Sequence, residues 1–599
     1  MIKKMVGIGA LAALGAAGGG TALAADWSVS GMVRQEIAVN TNSDSNINNQ
    51  IGNPWNGVTV PNTSVITGGA GGPVPTMTRP ATKTQSSDFN QFLTRVEVNL
   101  DGKLSETWSA HVKVRGIFDE IGDVENAFKG SNTYVQPYQA GKGTPLEIAR
   151  KNGMIDLPNA YLDYNSGPLW LRLGNQQIAW GEALFFRVSD VVNGLDLRRH
   201  LVLGVASEEY SDTRVPGLGL RGSYRVNENW DIEGFTQKFQ PSILPGANSP
   251  YTLIPTQFTV EEKEGYDEVK NEWNFGFRTR GKVGDYGVQA FAVRRNNPDG
   301  VYKWTLAHGP SPFAITAFEP GTTEGIYSAA EWFQYASHAR LDGLTGLATA
   351  INEFPGVTTL GGNAVAAACG APNSGVGTVV VDHASASCVL DTFFSGSELK
   401  GHIRRDYPKE NVFGFGVNHI FEGQPDTLLD QLIGRFELSY TPNKKFTNIN
   451  LSQNYIEHDE TVFAFIFEKY HKFSQDFPAT YFVAQWMHKS HSDIFGRALE
   501  GMNDAPGQSP KGQSGGADYA ALVFQQPSPT LAFRFDFTAL TDFHGGWLFQ
   551  PGVKWKPNKE VQVDLYANIL KSYGEQTNRN FAQGLEYANE VFVRATYSF

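Results

Sequence analysis

After the first two dozen residues, apolar and polar side chains alternate in short blocks along the chain. In TRVEVNL, Thr94, Val96, Val98 and Leu100 fall on one face of an extended segment, with Arg95, Glu97 and Asn99 on the other. LAFRFDFTAL sets Leu531, Phe533, Phe535 and Phe537 against Arg534 and Asp536. VQVDLYANI sets Val561, Val563, Leu565, Ala567 and Ile569 against Gln562, Asp564 and Asn568. This two-residue period predicts strands with one apolar and one wet face. The connections alternate in length. Short turns occur at 165–168, 226–229, 441–445 and 556–560, and long segments at 40–89, 120–156, 240–269, 296–396 and 490–516. Such long connections are rare in soluble domains. A membrane barrel uses short turns on its periplasmic side and long loops outside. The expected fold is therefore all-β, a transmembrane antiparallel up-and-down barrel of about 18 strands (range about 16–20). Segments 397–406, 446–456, 462–470 and 518–526 are among the strand candidates.

One stretch breaks the alternation. In AWGEALFFRVSDVVNGLDLRRH, Leu184, Val188, Val191 or Val192, and Leu195 recur at three- and four-residue steps, which predicts a short helical insert near 182–199. It follows LWLRLGNQQI, a strand running outward, so it begins and ends at the outer rim. Its charges and apolar residues suit a constriction folded into a polar lumen; a surface helix over the barrel mouth is the alternative. The strand pattern turns Arg95, Lys113, Arg115, Arg172, Arg278, Arg280, Arg435, Arg534 and Arg594 inward, with Glu97, Glu233, Glu437, Asp536 and Asp564. The candidate constriction comprises Arg95, Arg115, Arg172, Trp180, Glu182, Arg187, Asp190, Asp196, Arg198, Arg278 and Arg534, with Arg199 beside them. These residues read either as a charged filter or as ladders that stiffen the lumen.

The chain ends fit the same picture. Lys3 and Lys4, the apolar run Met5 to Ala17 and the Ala22-Leu23-Ala24 triplet read as a signal peptide over 1–24 cleaved near Ala24, leaving 25–599 as one barrel domain. EVFVRATYSF alternates to its end, and Tyr597 and Phe599 resemble the terminal signal of bacterial outer-membrane barrels, which the barrel-assembly machinery reads. Mean hydropathy is −0.30, and beyond the signal no run approaches a spanning helix. Only a closed barrel then pairs its whole backbone in the lipid bilayer of the outer membrane. An aromatic content of 12% suits interfacial girdles. A net charge of −12 argues against nucleic acid. Cys369 and Cys388 share one small-residue loop, placed either for a disulfide in an oxidising compartment or as unrelated thiols.

No motif asks for a cofactor. GQSGG (512–516) has the form G-x-S-x-G but lies in a Gln/Gly/Ser loop, where no strand–turn–helix elbow is expected. DSNINNQIG, from Asp44, lacks the glycine and the final acid of a calcium loop. His488 and His491 in HKSH are weak metal candidates at a strand end. A hydrolase on the outer rim would draw on His308, His338, His383, His458 and His544. Trp55, Trp304, Trp332 and Phe333 are loop aromatics suited to an apolar solute.

WGEALFFRVSDVVNGLD after RLGNQQ, with RRDYPKENVFGFG and the terminal Phe, resembles the uncharacterised proteobacterial outer-membrane family called domain of unknown function 1302, over essentially the whole chain. Asn175 stands where the family pattern has a basic residue, and Gly194 where Pro is frequent. The resemblance implies a Gram-negative outer-membrane protein. Its relatives occur near genes for a lipoprotein-carrier-like periplasmic protein and resistance-nodulation-division exporters. The function expected is a channel or transporter for small hydrophobic or amphipathic molecules or lipids. A non-channel docking barrel and a loop-borne hydrolase are the alternatives.

Overall fold

The computed structural model describes residues 26–42, 45–61, 76–81, 87–201, 210–258, 260–306, 326–353, 368–370, 382–396, 401–501, 511–574 and 576–599. The signal segment 1–24 and His308 lie outside them. Eighteen strands form the wall: β1 (Asp26–Asn40), β2 (Phe89–Lys103), β3 (Trp108–Asp119), β4 (Gly153–Ser166), β5 (Leu169–Gln176), β6 (Gly217–Arg225), β7 (Trp230–Lys238), β8 (Trp273–Val283), β9 (Tyr286–Asn296), β10 (Lys409–Ile420), β11 (Ile433–Phe446), β12 (Ile456–His471), β13 (Thr480–Lys489), β14 (Ala517–Pro527), β15 (Phe533–Thr541), β16 (Gly546–Trp555), β17 (Val561–Ser572) and β18 (Glu590–Ser598). Each pairs antiparallel with the next, and β18 pairs back with β1, Val33 opposite Tyr597 and Ile37 opposite Val593. The circuit has no free edge, so it answers the backbone's demand for partners in lipid.

The alternation read from the sequence is the inside–outside pleat. In β15, Phe533, Phe535 and Phe537 stand exposed on the outer wall while Arg534 and Asp536 face inward as an ion pair at 2.8 Å. Closure uses a small residue: Gly31 exchanges backbone hydrogen bonds with Phe599 (2.9 and 3.0 Å), and a Cβ there would meet the Phe599 ring at 2.6 Å.

Two expected strands belong elsewhere. Segment 397–406 contributes Gly401–Asp406 not to the wall but to a small sheet, antiparallel to Val301–Leu306 and parallel to Val260–Glu261. Segment 446–456 is not a strand: β11 runs to Phe446 and β12 starts at Ile456. The turn expected at 441–445 is a bulge inside β11, between Thr441 and Lys444. Asn443 takes a left-handed conformation (φ 48°) and donates its N–H to Asp459 at 2.8 Å, so the kink is satisfied within the wall.

The long connections all leave one rim. Much of 240–408 there is ordered as a cap: α1 (Glu262–Val269), α2 (Ala329–His338), α3 (Gly343–Glu353), α4 (His383–Gly396) and the small sheet. Trp332, Tyr335, Leu347, Val389 and Leu390 form its core. Cys369 and Cys388 are joined as a disulfide. Trp332 and Phe333 are consumed by this core rather than offered to a solute; Trp304 packs there too but also faces a cavity.

Candidate constriction inside the barrel

The segment after β5 turns into the barrel as expected, but it is not a helix: residues 177–200 are irregular chain. The reason lies in the acceptors around it. Glu437 of β11, itself buried, takes the backbone N–H groups of Glu182, Ala183 (3.0 Å) and Ser189 (3.0 Å), and Gln485 of β13 takes that of Phe185 (3.0 Å). Ile178 donates to the Asn193 side chain (2.7 Å), Leu195 to Ser242 Oγ (2.9 Å) and Leu197 to the Ile243 carbonyl (2.8 Å). A helix would satisfy these groups internally. Here side chains of the wall and neighbouring loops do so one by one, and the three- and four-residue apolar spacing serves burial instead. Gly194 permits this approach, since a Cβ would lie 2.6 Å from the Ser242 nitrogen.

Trp180 anchors the entry. Its indole donates to Glu233 (2.6 Å) and packs on Phe235 and Phe291. Arg278 and Arg221 hold the same Glu233, each at 2.6 Å, and the Arg278 guanidinium lies 5.2 Å from the centre of the Trp180 ring. Glu182 meets Arg435 (3.3 Å) and Asn418 (3.1 Å). Arg187 turns back on the insert, pairing with Asp190 (3.2 Å), which also holds Arg214 (2.8 Å). Asp196 and Arg198 pair at 2.8 Å, and Arg198 grips Glu147 with both guanidinium nitrogens (2.8 and 2.9 Å). Arg95 pairs with Glu97 and with Asp212 (2.9 Å), while Arg115 pairs with Asp156 (2.6 Å) and donates to the Asp212 carbonyl (2.9 Å). Arg172 and Arg534 face the lumen but pair within the wall, with Asp163 (2.7 Å) and Asp536 (2.8 Å), and line neither cavity described below.

Electrostatics follow this pairing. Burial alone would raise the Asp196 carboxyl, but Arg198 outweighs it and holds the group well below the usual range. Burial likewise opposes ionisation of Asp212, yet Arg95 brings its pKa down to about 2. Arg199 differs: burial, then Arg115 and Arg95, push its pKa down, and it makes no ion pair among the described residues.

The insert passes between two cavities. Leu184 to Val188 line one of about 520 Å³ beneath the cap, and Glu182 lines one of about 310 Å³ toward the short-turn rim. The larger is amphipathic, with Phe185, Phe186, Leu253, Phe258, Trp304 and Phe495 on its apolar surface and Arg199, Arg295, Arg340, Lys444, Lys489 and Glu460 among its charged groups. The smaller is polar, lined by Asp231, Arg278, Arg280, Arg435 and Glu437.

Several partners here were not singled out in the sequence. Glu147, on a four-residue strand (Glu147–Arg150) beside β4, and Asp212, in the helical turn Tyr210–Thr213, sit in segments without periodicity. His200 and Glu590, which no local pattern connects, pair at 2.7 Å. Of the set-aside motifs, GQSGG leads into β14 with no helix after it. Asn46 of the asparagine-rich loop donates to the carbonyls of Thr252 (2.8 Å) and Pro250 (3.0 Å), tying loops together.

Among solved structures, the chain is similar to Acinetobacter baumannii OccAB3 (9% identity over 96% of this chain and 99% of that one, TM-score 0.40). It is similar also to Pseudomonas aeruginosa OccD3, or OpdP (8%, 97% and 93%, TM-score 0.41), and to the outer membrane channel DcaP of Acinetobacter baumannii (9%, 96% and 97%, TM-score 0.33). No curated protein matches it in sequence. The family model described as "Protein of unknown function (DUF1302)" matches residues 4–599, so the chain belongs to the DUF1302 family.

Proposed function

We propose that this protein is an outer-membrane channel of a Gram-negative bacterium that passes small amphipathic organic molecules with an apolar body and an anionic group. The observation that carries the reading is the cavity of about 520 Å³ between cap and insert, whose lining joins aromatic and aliphatic surface to Arg199, a cation without an ion partner among the described residues. A solute entering beneath the cap buries its body against Phe185, Phe258 and Trp304 and offers its charge to Arg199. The insert then divides it from the polar vestibule, where Glu182, Arg278 and Arg435 select by charge. The long-loop rim is extracellular, and Tyr597 and Phe599 present the wall to the assembly machinery. A lipoprotein-carrier-like periplasmic protein and a resistance-nodulation-division exporter are the partners proposed at the other rim.

The test is single-channel recording of the purified barrel in a planar bilayer, with a medium-chain carboxylate and the matching alcohol as probes. Discrete steps blocked by the carboxylate at concentrations about tenfold below the alcohol are expected, and Arg199→Gln should remove the difference, since one charge-assisted contact contributes about 1.5–3 kcal/mol. Silence from a barrel shown to be folded by heat-modifiable migration would favour the second reading, a closed docking barrel, which the dense bonding of the insert to Glu437 supports.

A further inference from the structure

At the long-loop rim, three side chains from separated positions converge. His458 lies near the start of β12, His491 just after β13, and Glu500 nine residues further on; their ligand atoms all lie within 4.8 Å of one another. His458 Nε2 and Glu500 Oε1 are 2.5 Å apart, and the two imidazoles stack face to face, centroids 4.4 Å apart and planes 6° from parallel. The His491 ring makes no hydrogen bond among the described residues. A His–Glu hydrogen bond alone accounts for His458 and Glu500 but leaves this second ring without a role.

We propose that His458, His491 and Glu500 bind a divalent transition-metal ion of the zinc type. Two imidazoles and one carboxylate are a zinc ligand set with a fourth position open to water or a ligand. Imidazole nitrogens select such ions over calcium or magnesium, which take oxygen. Reaching metal–ligand distances of about 2.1 Å asks for one of the stacked imidazoles to rotate, so that its in-plane lone pair turns toward the ion, together with side-chain movement on the order of 1 Å.

The site also has a mechanical position. His491 and Glu500 flank a small hairpin in which Ser492 pairs with Ala498, and the Leu499 N–H returns to the His491 carbonyl at 3.1 Å. Asp493 ties the turn by accepting from the N–H groups of Phe495 (3.0 Å) and Arg497 (2.8 Å). The tip, Ile494 to Gly496, lines the larger cavity. A bound ion fastens the base of this hairpin to β12 and so fixes one wall of the cavity's roof.

The full-length barrel in detergent, stripped with chelator, is titrated with Zn²⁺ against a competing dye, and amide exchange over 490–500 is followed with and without the ion. One Zn²⁺ per chain is expected, with slower exchange in the hairpin and no displacement by millimolar Ca²⁺. His491→Ala and His458→Ala should each weaken binding at least about tenfold, whereas His488→Ala, whose ring bonds Asp518 outside the cluster, should not. Heat-modifiable migration confirms that each variant is folded. Absence of saturable binding in the wild type, or equal binding by the double His458→Ala/His491→Ala variant, overturns the site. Binding with unchanged hairpin exchange overturns the clamp.

Discussion

His200 closes the insert with both ring nitrogens engaged, Nε2 on Glu590 (2.7 Å) and Nδ1 on the Leu201 carbonyl (2.8 Å). A neutral imidazole donates through one nitrogen only, so this arrangement belongs to the protonated ring. Burial alone would lower its pKa; the Glu590 charge and hydrogen bonds outweigh burial, against some repulsion from Arg594, and raise it. Glu590 is itself fixed by Tyr251 (2.7 Å), Asn90 (2.9 Å) and Asn568 (2.9 Å), so it cannot follow a departing proton. A raised folded pKa means that the latch holds fully below the unfolded value of about 6.5. It is lost as pH rises through the folded value, at a cost on the order of 1 kcal/mol. Amide exchange near 197–201, corrected for intrinsic chemistry, is expected to quicken severalfold between about pH 6 and pH 9, and His200→Gln should flatten the response. Equal pH profiles in wild type and variant would show that the insert's end is held by something else.

At the level of elements, what was legible in the sequence was whatever repeats. The two-residue period located the wall strands because each must show one face to lipid and the other to water over its full length. The insert shows where periodicity misleads. Leu184, Val188 and Leu195 are spaced like a helix face, but Glu437 and Gln485 lie on strands far off in sequence, and no local pattern reports that their acceptors will replace helical bonds. The cap helices had a local signal that the long small-residue segment obscured: Ser328-Ala-Ala-Glu331 opens α2 as a capping sequence, and the Glu331 N–H does bond Ser328 at 3.2 Å. The proposed metal site is half legible: the HKSH spacing points to His491, but it pairs His491 with His488, whereas the ring beside it is that of His458 from the neighbouring strand. Within the cap, Cys369–Cys388 closes a loop of sequence separation 19 onto α4, which carries Cys388. Such a loop stabilises the cap by about 3 kcal/mol in the chain-entropy account. Replacing both cysteines by Ser should therefore speed protease cleavage in the cap by about two orders of magnitude, read by peptide mapping, while the wall keeps its heat-modifiable migration. Unchanged cleavage would place the cap's stability in its aromatic core alone.

For the whole molecule, width and filling are separate quantities. A closed wall of this strand number is broad enough to leave an aqueous channel. Part of that width is taken by the inward segment, fastened at Glu233 through Trp180, at Glu437 through three backbone groups and at Glu147 through Arg198. These contacts are buried, so loss of any one partner would leave the other unsatisfied. Together they hold the segment where it lines both the cavity under the cap and the vestibule toward the short turns, the position of the proposed barrier. The wall's own ladder is complete without the insert, since every strand pairs with both neighbours. Removing residues 182–199 and bridging Gly181 to His200 with a short Gly-Ser linker should thus leave a folded barrel, and its conductance should rise by about threefold or more as the lumen opens toward porin width. The cavity's preference for the carboxylate over the alcohol should disappear in the same recordings, because Arg199 leaves with the segment. Conductance equal to that of the intact protein would mean that the barrier lies in the cap, and the insert would then be a brace for the wall rather than its gate.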